Sequence, residues 1–445
     1  MFSIAVIFTC VILTIFIRFI FHVRKQYNFW NEKGVPSTKP IFFFGHLKDF
    51  IFGKRHLAFI LDDAYKAFPD ARYVGIYDIL KPNLIIKDPE LVGNILIKDF
   101  SHFHDRVPAS SNSHRLNHHI ARLPGKSWNL IRSKLNPTFS TIKLKSMFDL
   151  MESFSDTLDS YVKDYVTSNK FIDAKEVMGK YTTDVIGNCI FGLEFDALKD
   201  MNSKYWDISQ KVFAITPKSI AWTILRSVNP ILLNDNIIAS NMYIFYSAGF
   251  DTPSTTLSYC LYDLALHPEI QERVRAEIMK VLEANNGILT YDSLNDLVYT
   301  EMVLSETLRI HNPGSSFRRL CTKTYPIPNS SLVLKPGDRL TIPVYSIHHD
   351  EKNFPNPSKF DPERFSEENK KKIKPYTYLA FGDGPRICIA NKFAMMEMKI
   401  CLKTLLKKYK FSPCSKTEIP LEINPRATQA QFPPKNGVWL KVSEI

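Results

Sequence analysis

Residues 381–390, FGDGPRICIA, put a cysteine where it could do chemistry. Gly382 and Gly384 admit backbone that a Cβ would block, and Pro385 stiffens the turn. Arg386 stands two residues before Cys388, so its charge is expected to lower the thiol pKa. Residues 390–409 have helical character, and a thiolate near a helix N-terminus is stabilised again. The segment reads as a deprotonated cysteine on a tight loop, poised as a soft metal ligand. A buried structural cysteine beside a glycine turn fits the same composition. The other six cysteines are scattered and form no C-x-x-C pair, which argues against a zinc site and a secreted disulfide framework.

A second flag lies at 248–253, AGFDTP, inside a long apolar stretch. Gly249 would let a helix backbone approach a flat cofactor closely. Pro253 has no N–H, so the Gly249 carbonyl loses its helical partner. Beside the Thr252 hydroxyl that carbonyl could hold water, a groove for proton delivery. The bland reading is a proline kink with Thr252 bonded to its own helix. Glu306 and Arg309, at i, i+3, are on their own a weak signal, since most such pairs are surface ion pairs.

Taken together these residues are similar to a known family. Phe381, Gly384, Arg386 and Cys388 fit the F-x-x-G-x-R-x-C signature of cytochrome P450, the haem-thiolate monooxygenases, with Ala390 where that family usually has glycine. The resemblance implies Cys388 as axial ligand of the haem iron, whose thiolate favours O–O cleavage, and Arg386 as partner of a haem propionate. Trp128 and Arg132 match the family's W-x-x-x-R helix, a second propionate contact, and Arg319 aligns with a propionate arginine near a strand. Ala248 to Thr252 fit A-G-x-[DE]-T, which implies that Thr252 and Asp251 handle protons during oxygen activation. Glu306, Arg309 and Arg364 correspond to a buried network that supports the cysteine loop. Wording such as AGFDTPSTT and KPIFFFG looks most like microsomal insect enzymes of family six.

The resemblance therefore implies a mainly α fold with small β sections, haem b as cofactor, and insertion of one oxygen atom into a small lipophilic substrate. Electrons would come from NADPH through a cytochrome reductase, with cytochrome b5 as a further partner. An isomerase or dehydratase of the same fold, or a haem-binding but inactive or poorly coupled truncated form, are the rival readings; the intact Asp251–Thr252 pair argues against the first.

The elements that must position these groups are legible in outline. Residues 2–21 are apolar apart from Arg18, long enough at about 30 Å to cross a bilayer core. His22, Arg24 and Lys25 follow, so the positive-inside rule puts the rest on the cytosolic face, here of the endoplasmic reticulum membrane. Residues 22–45 read as a basic, proline-bearing linker and 46–445 as the catalytic domain. Residues 72–87 read as a hairpin turning at Pro82-Asn83, 88–310 as mostly helical, 317–345 as β-rich, and 425–445 as a C-terminal hairpin. The longest helix is expected over about 234–266, interrupted at Gly249–Pro253.

Only 25 residues separate Trp222 from Ala248, so several dozen residues of lid and roof are expected to be missing near 226–234. The 16 glycines are few for 445 residues, which suits a helical protein. The formal charge of +12 calls for an anionic partner. Residues 366–410 hold eleven Lys or Arg against four Asp or Glu, and Lys392, Lys399 and Lys403 share a helical face. That points to docking of an acidic electron donor near Cys388. Nucleic acid is disfavoured for want of a basic motif interleaved with aromatics. His102, His104, His114, His118 and His119 read as a loop near the substrate pocket, with no third ligand placed to complete a metal site.

Overall fold

The computed structural model describes residues 2–107, 118–200, 203–212, 235–428 and 431–445. The expected lid deletion near 226–234 and His114 lie outside these residues.

Helix α1, Phe2–Tyr27, is apolar and largely exposed along its first turns. It does not stop at residue 21. Val23 is fully buried, and the Tyr27 hydroxyl donates to the carbonyls of Ile41 (3.1 Å) and Ile79 (3.2 Å) while accepting the Gly45 N–H (2.9 Å). The segment expected as a linker is therefore docked on the domain.

A four-stranded sheet runs in the order β1-β2-β7-β4, where β1 is Tyr73–Asp78, β2 Lys81–Ile86, β4 Phe317–Leu320 and β7 Arg339–Ile342. The first hairpin turns at Ile79-Leu80, not at Pro82-Asn83. Pro82 pairs with Tyr77 inside β2, one residue before β2 begins its parallel pairing with β7. There its missing N–H leaves the ladder to β7 intact. β5 (Tyr325–Pro326) and β6 (Val333–Leu334) pair with each other, so the β-rich expectation for 317–345 holds. The C-terminal hairpin does not. β9, Trp439–Glu444, lies between β8, Tyr409–Pro413, and β3, Ile172–Asp173. Among the described residues, Pro434 bridges Ile423, which lies before the stretch expected to form the hairpin.

The rest is mainly helical. The elements that build the site are α2 (Gly125–Leu135), α3 (Ala174–Ile186), α4 (Asp235–Leu266), α5 (Val298–Ile310) and α6 (Asn391–Leu406). α4 is 32 residues, about 48 Å, and stays helical through Pro253, so the expected interruption is chemical and not a break in the helix. Leu257, Cys260, Leu261 and Leu264 of α4 pack into the main core with Val177, Tyr181 and Val185 of α3 and Ile400, Cys401 and Leu405 of α6. Gly249 serves that packing: a Cβ there would sit 2.3 Å from Ile186 Cδ1, so the close approach it permits is to α3.

Candidate active site

A cavity of about 390 Å³ lies between α2, α4, β4 and the 381–390 loop. Cys388 lines it, with Gly249 and Thr252 from α4, Trp128 and Arg132 from α2, Phe317 and Arg319 from β4, and Phe381, Arg386 and Arg106. The loop is held by its backbone. Gly384 has φ +69°, and a Cβ on it would meet the Leu96 carbonyl at 2.0 Å. Asp383 caps the Gly384 N–H at 2.7 Å, and the Cys388 N–H donates to the Phe381 carbonyl at 2.9 Å.

Cys388 has a large accessible area, but that area faces the cavity from deep within the fold. Burial therefore pushes the thiol up, while the Ala390 backbone N–H, Arg132 and Arg106 pull it down less strongly. The expected lowering of the Cys388 thiol pKa by Arg386 is corrected here. Its guanidinium donates to the Leu123 carbonyl (2.9 Å), stacks over Trp128 (4.3 Å) and lies 3.9 Å from Asp105. The charges acting on the thiol come instead from Arg132 and Arg106.

Four arginines crowd this cavity. Arg386 Nε and Nη1, Arg319 Nε and Arg106 Nε are buried without a hydrogen-bond partner among the described residues. Arg386 and Arg319 are almost wholly buried. Burial first, then Arg106 and Arg132, hold Arg386 down at about 9; burial, Arg106 and Arg386 hold Arg319 well below its ordinary value. Buried, mutually repelling guanidinium groups call for an anion with several acceptor oxygens.

Behind the loop, Glu306 and Arg309 are fully buried and joined in a two-point pair, Nε to Oε2 at 2.7 Å and Nη2 to Oε1 at 2.8 Å. Arg364 reaches Glu306 Oε1 at 3.3 Å, and the Asp361 N–H reaches it at 3.0 Å. Arg309 also donates to the carbonyls of His348 and Pro357. His348 relays this order to the loop: Nδ1–H donates to the Arg309 carbonyl (3.0 Å) and Nε2 accepts the Leu379 N–H (2.9 Å). That needs the neutral ring, and burial holds its pKa near 3.

Thr252 and Asp251 are adjacent on α4 but differently engaged. The Thr252 hydroxyl donates to the Ala248 carbonyl of its own helix (2.8 Å), keeping its lone pairs as acceptors. Asp251 is bound by Lys175 Nζ (3.0 Å) and Gln431 Nε2 (3.1 Å), facing a second cleft on the α3 side. Lys175 holds Ser254 and Thr255 as well.

A cysteine facing an arginine-ringed cavity, with a Thr-bearing helix across from it, is the arrangement the motifs implied. Residues 35–233 and 226–440 match the family model described as Cytochrome P450. The chain belongs to the cytochrome P450 family. Cytochrome P450 6j1 of Blattella germanica is 33% identical over 503 aligned positions, covering all of this chain and 99% of the relative. Cytochrome P450 6k1 of the same insect is 32% identical over 94% of each chain. Probable cytochrome P450 6a13 of Drosophila melanogaster is 35% identical over 91% of this chain and 92% of the relative. Membership implies haem, and this P450 fits it: a thiol for the iron and unpartnered arginine nitrogens for two propionates.

Two residues that line or brace the cavity carry no sequence signal of their own. Arg106 sits in the His-rich loop with no motif of its own. Asp105 accepts the Gly125 N–H (2.6 Å) and His104 Nδ1–H (2.6 Å), fixing the start of α2. The basic face expected on α6 is corrected: Lys399 is buried on Glu301 and the Leu294 carbonyl, and Lys403 on Glu152 and Ser155. Only Lys392 of the three is exposed.

Glu397 of α6 is fully buried at the cavity wall, and neither carboxyl oxygen has a partner among the described residues. Burial pushes its pKa well above 4.5, so the folded protein keeps it neutral. The unfolded chain ionises it above that value. The folded pKa being the higher one, stability is complete below about 4.5 and declines as pH rises toward it, by about 1.4 kcal/mol per unit. Glu397→Gln is expected to unfold at a higher temperature than the parent at pH 7.5, with the margin shrinking at pH 5. An equal margin at both pH values would contradict this.

Proposed function

We propose that this P450 inserts one atom of O₂ into a small lipophilic substrate, using electrons from NADPH passed on by a reductase. The observation that carries this reading is the cysteine facing a cavity ringed by four arginines, three of them with unmet donors among the described residues. In it Cys388 ligates the haem iron, and Arg132, Arg386, Arg319 and Arg106 hold the propionates, with Trp128 packing on Arg386. Bound haem supplies the oxygen-activating and electron-accepting chemistry. The protein residues supply the rest. Ile120, Ile244, Phe245 and Phe317 give an apolar wall that suits a lipophilic substrate and excludes water. Gly384 and Phe381 keep the loop backbone in place.

Thr252 accepts and donates protons at its hydroxyl, and Asp251, held by Lys175 and Gln431 on the α3 side, relays protons toward it. Thr252→Ala is expected to retain haem and to divert most NADPH electrons into hydrogen peroxide, a change of about tenfold or more in the peroxide-to-product ratio. Unchanged coupling, measured as NADPH consumed against product formed, would refute the role.

The family match divides into two segments meeting at 226–233, and the 503-position alignment spans a 445-residue chain. Both support the reading that several dozen residues of lid and roof are missing, so an elevated peroxide yield is expected even in the parent. We place the protein on the endoplasmic reticulum membrane, with α1 as anchor and the catalytic domain cytosolic. Lys126 and Lys134 of α2 and Lys392 of α6 are exposed on the two helices flanking Cys388. They suit docking of an acidic reductase or cytochrome b5.

A further inference from the structure

Four arginines facing two propionates leave two positive charges at this end of the cavity without a counter-ion. Uncompensated buried charge is costly, so a further anion is called for on the arginine side. Asp105 supplies it. Burial, Arg106 and Arg132 disfavour the Arg386 charge, and Asp105 alone among the groups acting on it favours that charge. Among the described residues no carboxylate acts on Arg106, Arg132 or Arg319.

Asp105 is fixed by contacts from several sides. Its backbone carbonyl accepts the Leu320 N–H at the end of β4 (2.8 Å), the strand that carries Arg319. Its Oδ1 accepts the Gly125 N–H at the start of α2 and His104 Nδ1–H, each at 2.6 Å. That same oxygen stands 3.9 Å from Arg386 Nη2, outside hydrogen-bond reach. Arg386 Nη2 donates to the Leu123 carbonyl instead (2.9 Å), and Nε and Nη1 stay open among the described residues. Asp105 thus offsets the charge without using the donors that a propionate needs. An amide oxygen could accept the same two hydrogen bonds, so the negative charge is what separates aspartate from asparagine here.

We propose that Asp105 is a positioning residue for haem: acting through Arg386, it steadies the arginine cluster of the apo protein and keeps the reduction potential of bound haem low, at some cost in haem affinity. Reduced haem carries one more negative charge than oxidised haem, so a fixed carboxylate nearby disfavours it. The inference rests on Arg386 holding a propionate, and its test reads the two separately. Asp105→Asn, Asp105→Glu, Arg386→Leu and Asp105→Asn combined with Arg386→Leu are compared with the parent, all full length. Asp105→Asn is expected to shift the reduction potential, read by spectroelectrochemical titration of the haem-loaded protein, in the positive direction. It should also slow haem dissociation about threefold or more and lower the unfolding temperature of the apo protein. Asp105→Glu keeps the charge and should move the potential less than half as far. In the Arg386→Leu background, Asp105→Asn should lower apo stability less, because the charge it offset is gone. An unchanged potential and dissociation rate in Asp105→Asn overturn the proposal. So does faster haem loss together with lower stability, which would make Asp105 a brace for α2 alone. Haem dissociation from Arg386→Leu at the parent's rate overturns the propionate reading, and the proposal with it.

Discussion

Replacing Glu306 with alanine is expected to be the most damaging single change outside the cysteine loop. Arg309 would remain fully buried with its carboxylate gone, and Arg364 would lose the same partner. Stranding a buried charge in this way costs about 3–5 kcal/mol, a large share of the 5–15 kcal/mol that folded proteins typically hold. The damage is also directed. Arg309 orders His348, and His348 holds the Leu379 N–H two residues before Phe381. Glu306→Ala should therefore lower both thermal stability and haem retention. Glu306→Leu combined with Arg309→Leu should be less harmful than Glu306→Leu alone, because the fully buried charge is gone and Arg364, partly exposed, keeps the Asn356 carbonyl. Strictly additive effects in unfolding measurements on the three variants would contradict the network.

Arg386→Leu is the second large effect, and its sign differs between apo and haem-loaded protein. Without haem, Arg386 is a buried charge repelled by Arg106 and Arg132, with two nitrogens unmet. Removing it should leave apo stability unchanged or raise it, despite losing the Leu123 and Trp128 contacts. With haem, the same change removes charge-assisted hydrogen bonds worth about 1.5–3 kcal/mol, or about 10- to 150-fold in affinity. Arg386→Lys should fall between, keeping the charge but losing the planar fork. Haem titration followed by Soret absorbance, with thermal unfolding of the apo protein, reads both signs. Lower apo stability with unchanged haem affinity would make Arg386 a structural residue.

What could be read in advance depended on whether the signal was local. Cys388 and its loop carry a signature within eight residues, and Glu306–Arg309 is one helical turn. The fold puts Cys388 on the cavity wall and buries the Glu306–Arg309 pair. The misplaced hairpin turn shows the limit. Pro82-Asn83 has the composition of a turn, whereas Ile79-Leu80 turns because Gly45 and Tyr27 grip it from elsewhere in the chain. β9 pairs with strands from 172 and 409 onward, a choice that no local pattern encodes. Periodicity put Lys399 and Lys403 on one face correctly, but whether a face is solvated depends on what packs against it, and here Glu301 and Glu152 do. Gly249 was legible as a close approach and illegible as to its neighbour, Ile186. Arg106 became visible only once the cavity was assembled, because a lone arginine in a polar loop looks like any other.

The central claim is that Cys388 ligates haem iron as a thiolate. The most direct measurement is the carbon-monoxide difference spectrum of the reduced, haem-loaded, full-length protein. Thiolate ligation by Cys388 predicts a strongly red-shifted Soret band, because the thiolate pushes electron density onto the iron. Folded protein that retains haem and shows an unshifted band, as a nitrogen-ligated haem would, contradicts the account.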